Sequence, residues 1–120
     1  MSSTLRDKIL AAQDAKTVTV AVPEWGCSLQ VRSLTTRERI EWEVSCSRKR
    51  KGTVTVDPFR LKSSLVVLTC YDEATGERVF TPDDIETLGR KNAGVVERLF
   101  TAAAELCGIT DADEADILGK

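Results

Sequence analysis

The side chains best equipped for chemistry in this chain are its four cysteines and two clusters of acids. Neither set has the company that chemistry needs. Cys27, Cys46, Cys70 and Cys107 lie far apart, with no C-x-x-C pair and no histidine anywhere, whereas zinc sites draw their ligands in close pairs from one tight turn. They read as free, reduced residues filling buried or half-buried places, because cysteine packs as a small hydrophobe. The lack of histidine also removes the usual proton shuttle near neutral pH. Asp83, Asp84 and Glu86 follow Thr81-Pro82, where acids complement the positive end of a helix dipole without further partners. In "DADEAD", Asp111 and Asp113 have the spacing of the first two ligands of a calcium loop. The glycine at that loop's sixth place and its terminal bidentate Glu are both missing. With no G-x-S-x-G elbow beside the many Ser and Thr, no nucleophile is activated. The expectation is no catalytic residue, no metal and no cofactor, hence not an enzyme.

The other conspicuous run is Arg48-Lys49-Arg50-Lys51, in a chain of net charge −2 and isoelectric point near 5.2. Four adjacent cations match a nuclear-localisation or nucleic-acid patch. No aromatic residues interleave them to stack bases, and no basic recognition helix adjoins them. An acidic chain also lacks the broad basic face that phosphate neutralisation requires, so nucleic acid is not the expected partner. A membrane is not expected either: no apolar run approaches the roughly 20 residues that span a bilayer, and "MSSTLRDKILAAQ" is charged through its middle rather than forming a leader. A soluble, cytoplasmic protein is the reading.

The elements that would position these residues are marked by period and by caps. Leu5, Ile9 and Ala12 suit a short amphipathic helix over residues 3–13, with frayed ends. Val18, Val20 and Val22 alternate with Thr17, Thr19 and Ala21, and Leu29 and Val31 resume the alternation after Pro23-Glu24-Trp25-Gly26, which predicts a β-hairpin. Thr35 and Glu38 form a capping box for a helix with Ile40, Val44 and Trp42 on its apolar side. The basic run follows as an exposed loop over 47–57. Asp57-Pro58 opens another helix, passing into a short extended piece near Thr69 to Tyr71, with a strand over "LVVLTCY" as the alternative, since periodicity alone does not assign so short an apolar run. A turn at Gly76 returns Val79 and Phe80 to the core, and Thr81-Pro82 starts a helix that Gly89 ends. A longer helix from about Asn92 to Cys107 repeats Val96, Leu99, Phe100, Ala103 and Leu106 at three and four, closed by Gly108. Together these predict one α+β domain over 1–109, a β-hairpin or small antiparallel sheet packed with four to five helices, followed by an acidic tail over 110–120.

Two stretches, taken with their order and spacing over about Lys16 to Ile109, carry a family likeness. "VTVAVPEWGCSLQVRSLTTRERIEWE" and "LVVLTCYDEATGERVFTPDDIETLGRKNAGVVERLFTAAAELCGI" resemble the two halves of the tail assembly chaperones of long-tailed, non-contractile bacteriophages and related prophages. The resemblance implies a non-catalytic chaperone that binds the coiled-coil-rich tape measure protein, keeps it soluble, helps recruit tail tube protein and is absent from the mature virion. It also implies self-association, and a frameshifted longer form that recruits the tube protein, of which this chain looks like the short version. Cys107 stands where the pattern has asparagine, and the basic run is outside the pattern.

A chaperone for apolar heptad stripes needs apolar grooves between helices, bordered by charge. The helices from Pro58 and to Cys107 are the expected groove walls. Candidate partner-binding residues are Trp25, Trp42, Val96, Leu99, Phe100 and Ala103, with the two tryptophans open to a core reading. Arg48, Lys49, Arg50 and Lys51 are candidates for electrostatic contact with an acidic partner, including the Asp113, Glu114 and Asp116 tail of another copy. Two rival readings stand: a tail-completion or head-tail protein retained in the virion, and a small nucleic-acid-binding regulator.

Overall fold

A computed structural model describes residues 4–118, except for the side chains of residues 48–50, 54, 117 and 118. The first helix, α1 (Leu5–Ala11), is opened by the reciprocal Thr4–Asp7 capping box. Strands β1 (Thr17–Val22) and β2 (Cys27–Arg32) pair antiparallel, with Val18 opposite Val31 and Val20 opposite Leu29. They are joined by a 3-10 turn, Pro23–Trp25, closed by Gly26 at φ 69°, a left-handed conformation that glycine adopts without cost. Helix α2 (Thr36–Ser45) starts at the expected Thr35–Glu38 box.

Helix α3 (Pro58–Thr69), capped by Asp57, gives way at once to β5 (Cys70–Tyr71), which pairs with β2 and completes a sheet of order β1-β2-β5. The Thr81 box leads through a 3-10 turn into α4 (Ile85–Leu88). Asn92 caps α5 (Ala93–Cys107), and Gly108 ends it in the left-handed region.

α3 is the hub. Leu61, Leu65, Val66, Val67 and Leu68 are all buried, packed among α5, α2, α4 and β2. Full burial of such a side chain contributes about 1.5–3 kcal/mol relative to exposure. Two of its buried polar groups are satisfied within the helix: the Ser64 hydroxyl donates to the Arg60 carbonyl, and Thr69 Oγ1 donates to the Leu65 carbonyl at 2.7 Å. The sheet lays Val22, Leu29 and Val31 on this core and turns Thr17, Thr19 and Ala21 to solvent.

Four expectations are corrected. Residues 47–57 are not a loop but a hairpin of β3 (Ser47–Arg50) and β4 (Thr53–Val56), in register Ser47 to Val56 and Arg50 to Thr53. Lys51 and Gly52, at φ 49° and 80°, form the doubly left-handed two-residue turn whose twist matches the flanking strands. β3, with sequence SRKR, has no apolar alternation by which to be read. The segment after Ile109 is not a tail but helix α6 (Asp111–Leu118). The third correction concerns α2, whose Ile40 and Val44 face outward while Trp42 is buried. Last, Val79 stays exposed and only Phe80 reaches the core.

Candidate partner-binding surface

Around an α-helix, residues two apart lie about 200° from one another. Trp42 and the Ile40–Val44 pair therefore cannot share a face. Trp42 takes the inner one: its ring is fully buried, its Nε1 donates to the Leu61 carbonyl of α3 at 2.8 Å, and the Arg39 guanidinium lies 5.3 Å from its ring centre. The polar handle of an indole needs a partner when buried, and α3 supplies it. Ile40 and Val44 are thereby left 58% and 68% exposed.

These two side chains floor a groove of about 860 Å³, walled by Leu68 of α3 and by Pro82, and rimmed by Arg37, Glu41 and Arg78. Its far wall is fixed from α2 itself. Glu38 accepts the Thr35 amide through one oxygen at 2.9 Å and the Arg78 guanidinium through the other. Burial pushes the Glu38 carboxyl up, but the Thr35 amide and Arg78 outweigh it and leave it below the usual range. Arg78 also donates to the Tyr71 hydroxyl at 3.4 Å. The result is an apolar strip one helix wide with fixed charges at its edge, a shape that accepts the apolar stripe of another helix.

The residues singled out from sequence are dispersed. Trp42, Leu99, Phe100 and Ala103 are core residues, so a partner cannot reach them while the fold is intact. Val96 lines a cleft of about 280 Å³ with Phe59 and Lys62, between α3 and α5. Trp25, edge-on to Phe80 at 6.4 Å, lines an adjoining cleft of about 270 Å³ with Val79 and Lys91. Both clefts are smaller than the α2 groove. The side chains of Arg48, Lys49 and Arg50 lie outside the described residues, and Lys51 is exposed at the hairpin tip.

Asp113 is a cap: it accepts the Thr110 amide at 2.9 Å, and Thr110 Oγ1 accepts its amide at 3.1 Å. Those bonds hold its carboxyl below the usual range. Burial, with Asp111 adding to it, pushes the Glu114 carboxyl up, and Asp116 is exposed. Because α6 lies against β4, the acidic segment sits beside the basic hairpin of its own chain. Sequence reasoning missed Ile40, Val44, Leu68 and Pro82 as a group. The available signal was the clash of two apolar faces on α2.

Cys46, Cys70 and Cys107 are placed as packing groups, whereas Cys27, at the start of β2, is exposed rather than buried or half-buried as expected. Burial pushes Cys46 up to about 11 and Cys70 up to about 12, far from the thiolate range in which cysteine reacts. Burial also raises Cys107, whose Sγ accepts the Leu34 amide at 3.4 Å. That contact gives the residue standing in place of asparagine a structural use. Among the described residues no three acids, cysteines or histidines gather closely enough to hold a metal, and no helix is long and apolar enough to cross a membrane.

A family profile described as phage tail assembly chaperone matches residues 4–117. Among solved structures, the tail assembly chaperone of bacteriophage HK97 superposes with a TM-score of 0.55, covering 87% of this chain and 94% of that one at 23% identity. That likeness is one of fold. No protein of curated function matches the chain.

Proposed function

Given that the chain belongs to the phage tail assembly chaperone family, we propose that it binds the tape measure protein through the α2 groove, keeps it soluble and helps bring tail tube subunits to it. The observation that carries this reading is the Ile40–Val44 pair beside Leu68 and Pro82, two apolar side chains that the fold itself leaves exposed. A tape measure protein is long and presents apolar residues at heptad spacing. Ile40 and Val44, four apart, are spaced to interdigitate with such a stripe, while Arg37, Glu41 and Arg78 hold the solvated rim. Copies bound side by side along one partner would each need only a weak contact, because avidity multiplies them. In this reading the protein works in the host cytoplasm without catalysing a reaction, associates with itself, and leaves before the virion is complete. Tube recruitment falls to a frameshifted longer form.

The test is co-expression with the tape measure protein of the same phage. The expected outcome is a soluble complex where the tape measure protein alone precipitates. Mass spectrometry of purified particles should find no trace of this chain. No rescue of solubility would overturn the reading, and stoichiometric retention in particles would replace it with the virion-protein alternative.

A further inference from the structure

The sheet has two unlike edges. At one, β5 is only Cys70–Tyr71, and the bridge from Tyr71 to Arg78 closes it. At the other, β1 presents the six residues TVTVAV with no strand beyond them among the described residues. Natural edge strands are guarded by charge, proline, bulges or shortness. β1 has none of these over Thr17–Val22.

The register says which of its groups are open. Lys16 accepts the Ser33 amide across to the β2 side at 2.8 Å, so in the alternation of an antiparallel ladder Val18, Val20 and Val22 also bond inward. Thr17, Thr19 and Ala21 then point their amides and carbonyls outward. The Ala21 carbonyl bears this out, since it accepts Arg98 Nη1 from outside the sheet at 3.3 Å and keeps a second lone pair. Val18, beside this edge, remains 40% exposed although its face of the sheet is the core face.

We propose that this edge pairs antiparallel with β1 of a second copy of the chain, about a two-fold axis at Thr19. Thr19 faces the second copy's Thr19, and Thr17 faces the second copy's Ala21, so every outward amide finds a carbonyl. Val18 meets the second copy's Val20 at the closer, non-hydrogen-bonded position, and its exposed surface is covered. Like charges opposite one another would defeat self-pairing, and Thr17–Val22 carries none. The inference gives a surface to the self-association in the proposed function and rests on that element of it alone. Pairing one strand buries less than the roughly 1,200 Å² of a standard stable interface, so the dimer is concentration-dependent.

The experiment uses the full chain alone, so its failure leaves the tape measure reading untouched. Sedimentation over a concentration series should show a reversible monomer–dimer equilibrium. Hydrogen exchange at the Thr17, Thr19 and Ala21 amides should slow as concentration rises. Thr19→Lys places like charges face to face and should raise the dissociation constant about tenfold or more, while mixing it with Thr19→Glu restores pairing, this time between unlike chains. Thr19→Pro removes only an outward amide and should give the same loss with an unchanged circular dichroism spectrum. A chain that is monomeric throughout overturns the proposal. So does an oligomer indifferent to both Thr19→Lys and Thr19→Pro, or protection that appears on α1 or the α2 groove and not on β1.

Discussion

α5 and α2 dispose of their apolar residues in opposite ways. On α5 the residues Val95, Leu99, Phe100, Ala103 and Ala104 form one stripe buried against the body, and its outer side carries ion pairs: Arg98 grips Glu24 at 2.7 and 3.0 Å, and Glu97 meets Lys62 at 2.6 Å. On α2 the apolar residues divide, with Trp42 inward and Ile40 and Val44 outward. A helix whose apolar residues all fit one stripe is accounted for by its own core. A helix with apolar residues left over has a surface that the fold does not explain, and there a partner can be sought. The strongest amphipathic pattern in the sequence therefore points away from the proposed binding surface.

The contrast can be broken most severely at Trp42. Replacing it with alanine removes a fully buried ring and the indole hydrogen bond to the Leu61 carbonyl. A loss of about 3–5 kcal/mol is expected, read as a large drop in urea midpoint. On α5 the same logic separates neighbours. Leu99→Ala should cost about 2–5 kcal/mol, whereas half-buried Val96→Ala should cost about 1 kcal/mol or less, since surface-side truncations are mild. Equal costs would mean that α5 has no privileged face.

The smallest effect tests the outer side of α5. The hydrogen bonds from Arg98, and next the backbone around Glu24, hold the Glu24 carboxyl down to about 2 from 4.5. A carboxyl lower in the folded than in the unfolded state binds fewer protons when folded. Its contribution is therefore complete above pH 4.5 and is lost as pH falls through about 2. Glu24→Gln should make the fall in melting temperature over that window slightly shallower. The change is small because the pair is solvent-exposed and screened.

Much of the fold was legible because its signals are local. The Thr35–Glu38 box, Asn92, Gly108 and the β1 alternation each act through bonds within a few residues, and each element begins or ends where they place it. The break from α3 to β5 at Thr69–Cys70 was legible for the same reason. α6 carried a local signal too, the Thr110–Asp113 box, but no apolar run followed to give it weight. The basic hairpin hid because β3 gains its partner from a turn rather than from a pattern.

The candidate surface was not legible, since the orientation of α2 is a tertiary decision. It depends on the Leu61 carbonyl of α3 standing where Trp42 Nε1 can reach it. Leu68 and Pro82, which share the groove with Ile40 and Val44, come from two other segments distant in sequence.

The central claim is that Ile40 and Val44 face a partner and not the core. The most direct test is the double variant Ile40→Lys/Val44→Lys, co-expressed with the tape measure protein and melted in isolation. Because both side chains are exposed, the account predicts stability within about 0.5 kcal/mol of the wild type together with loss of tape measure solubilisation. A variant that folds and still solubilises the tape measure protein as the wild type does would contradict it.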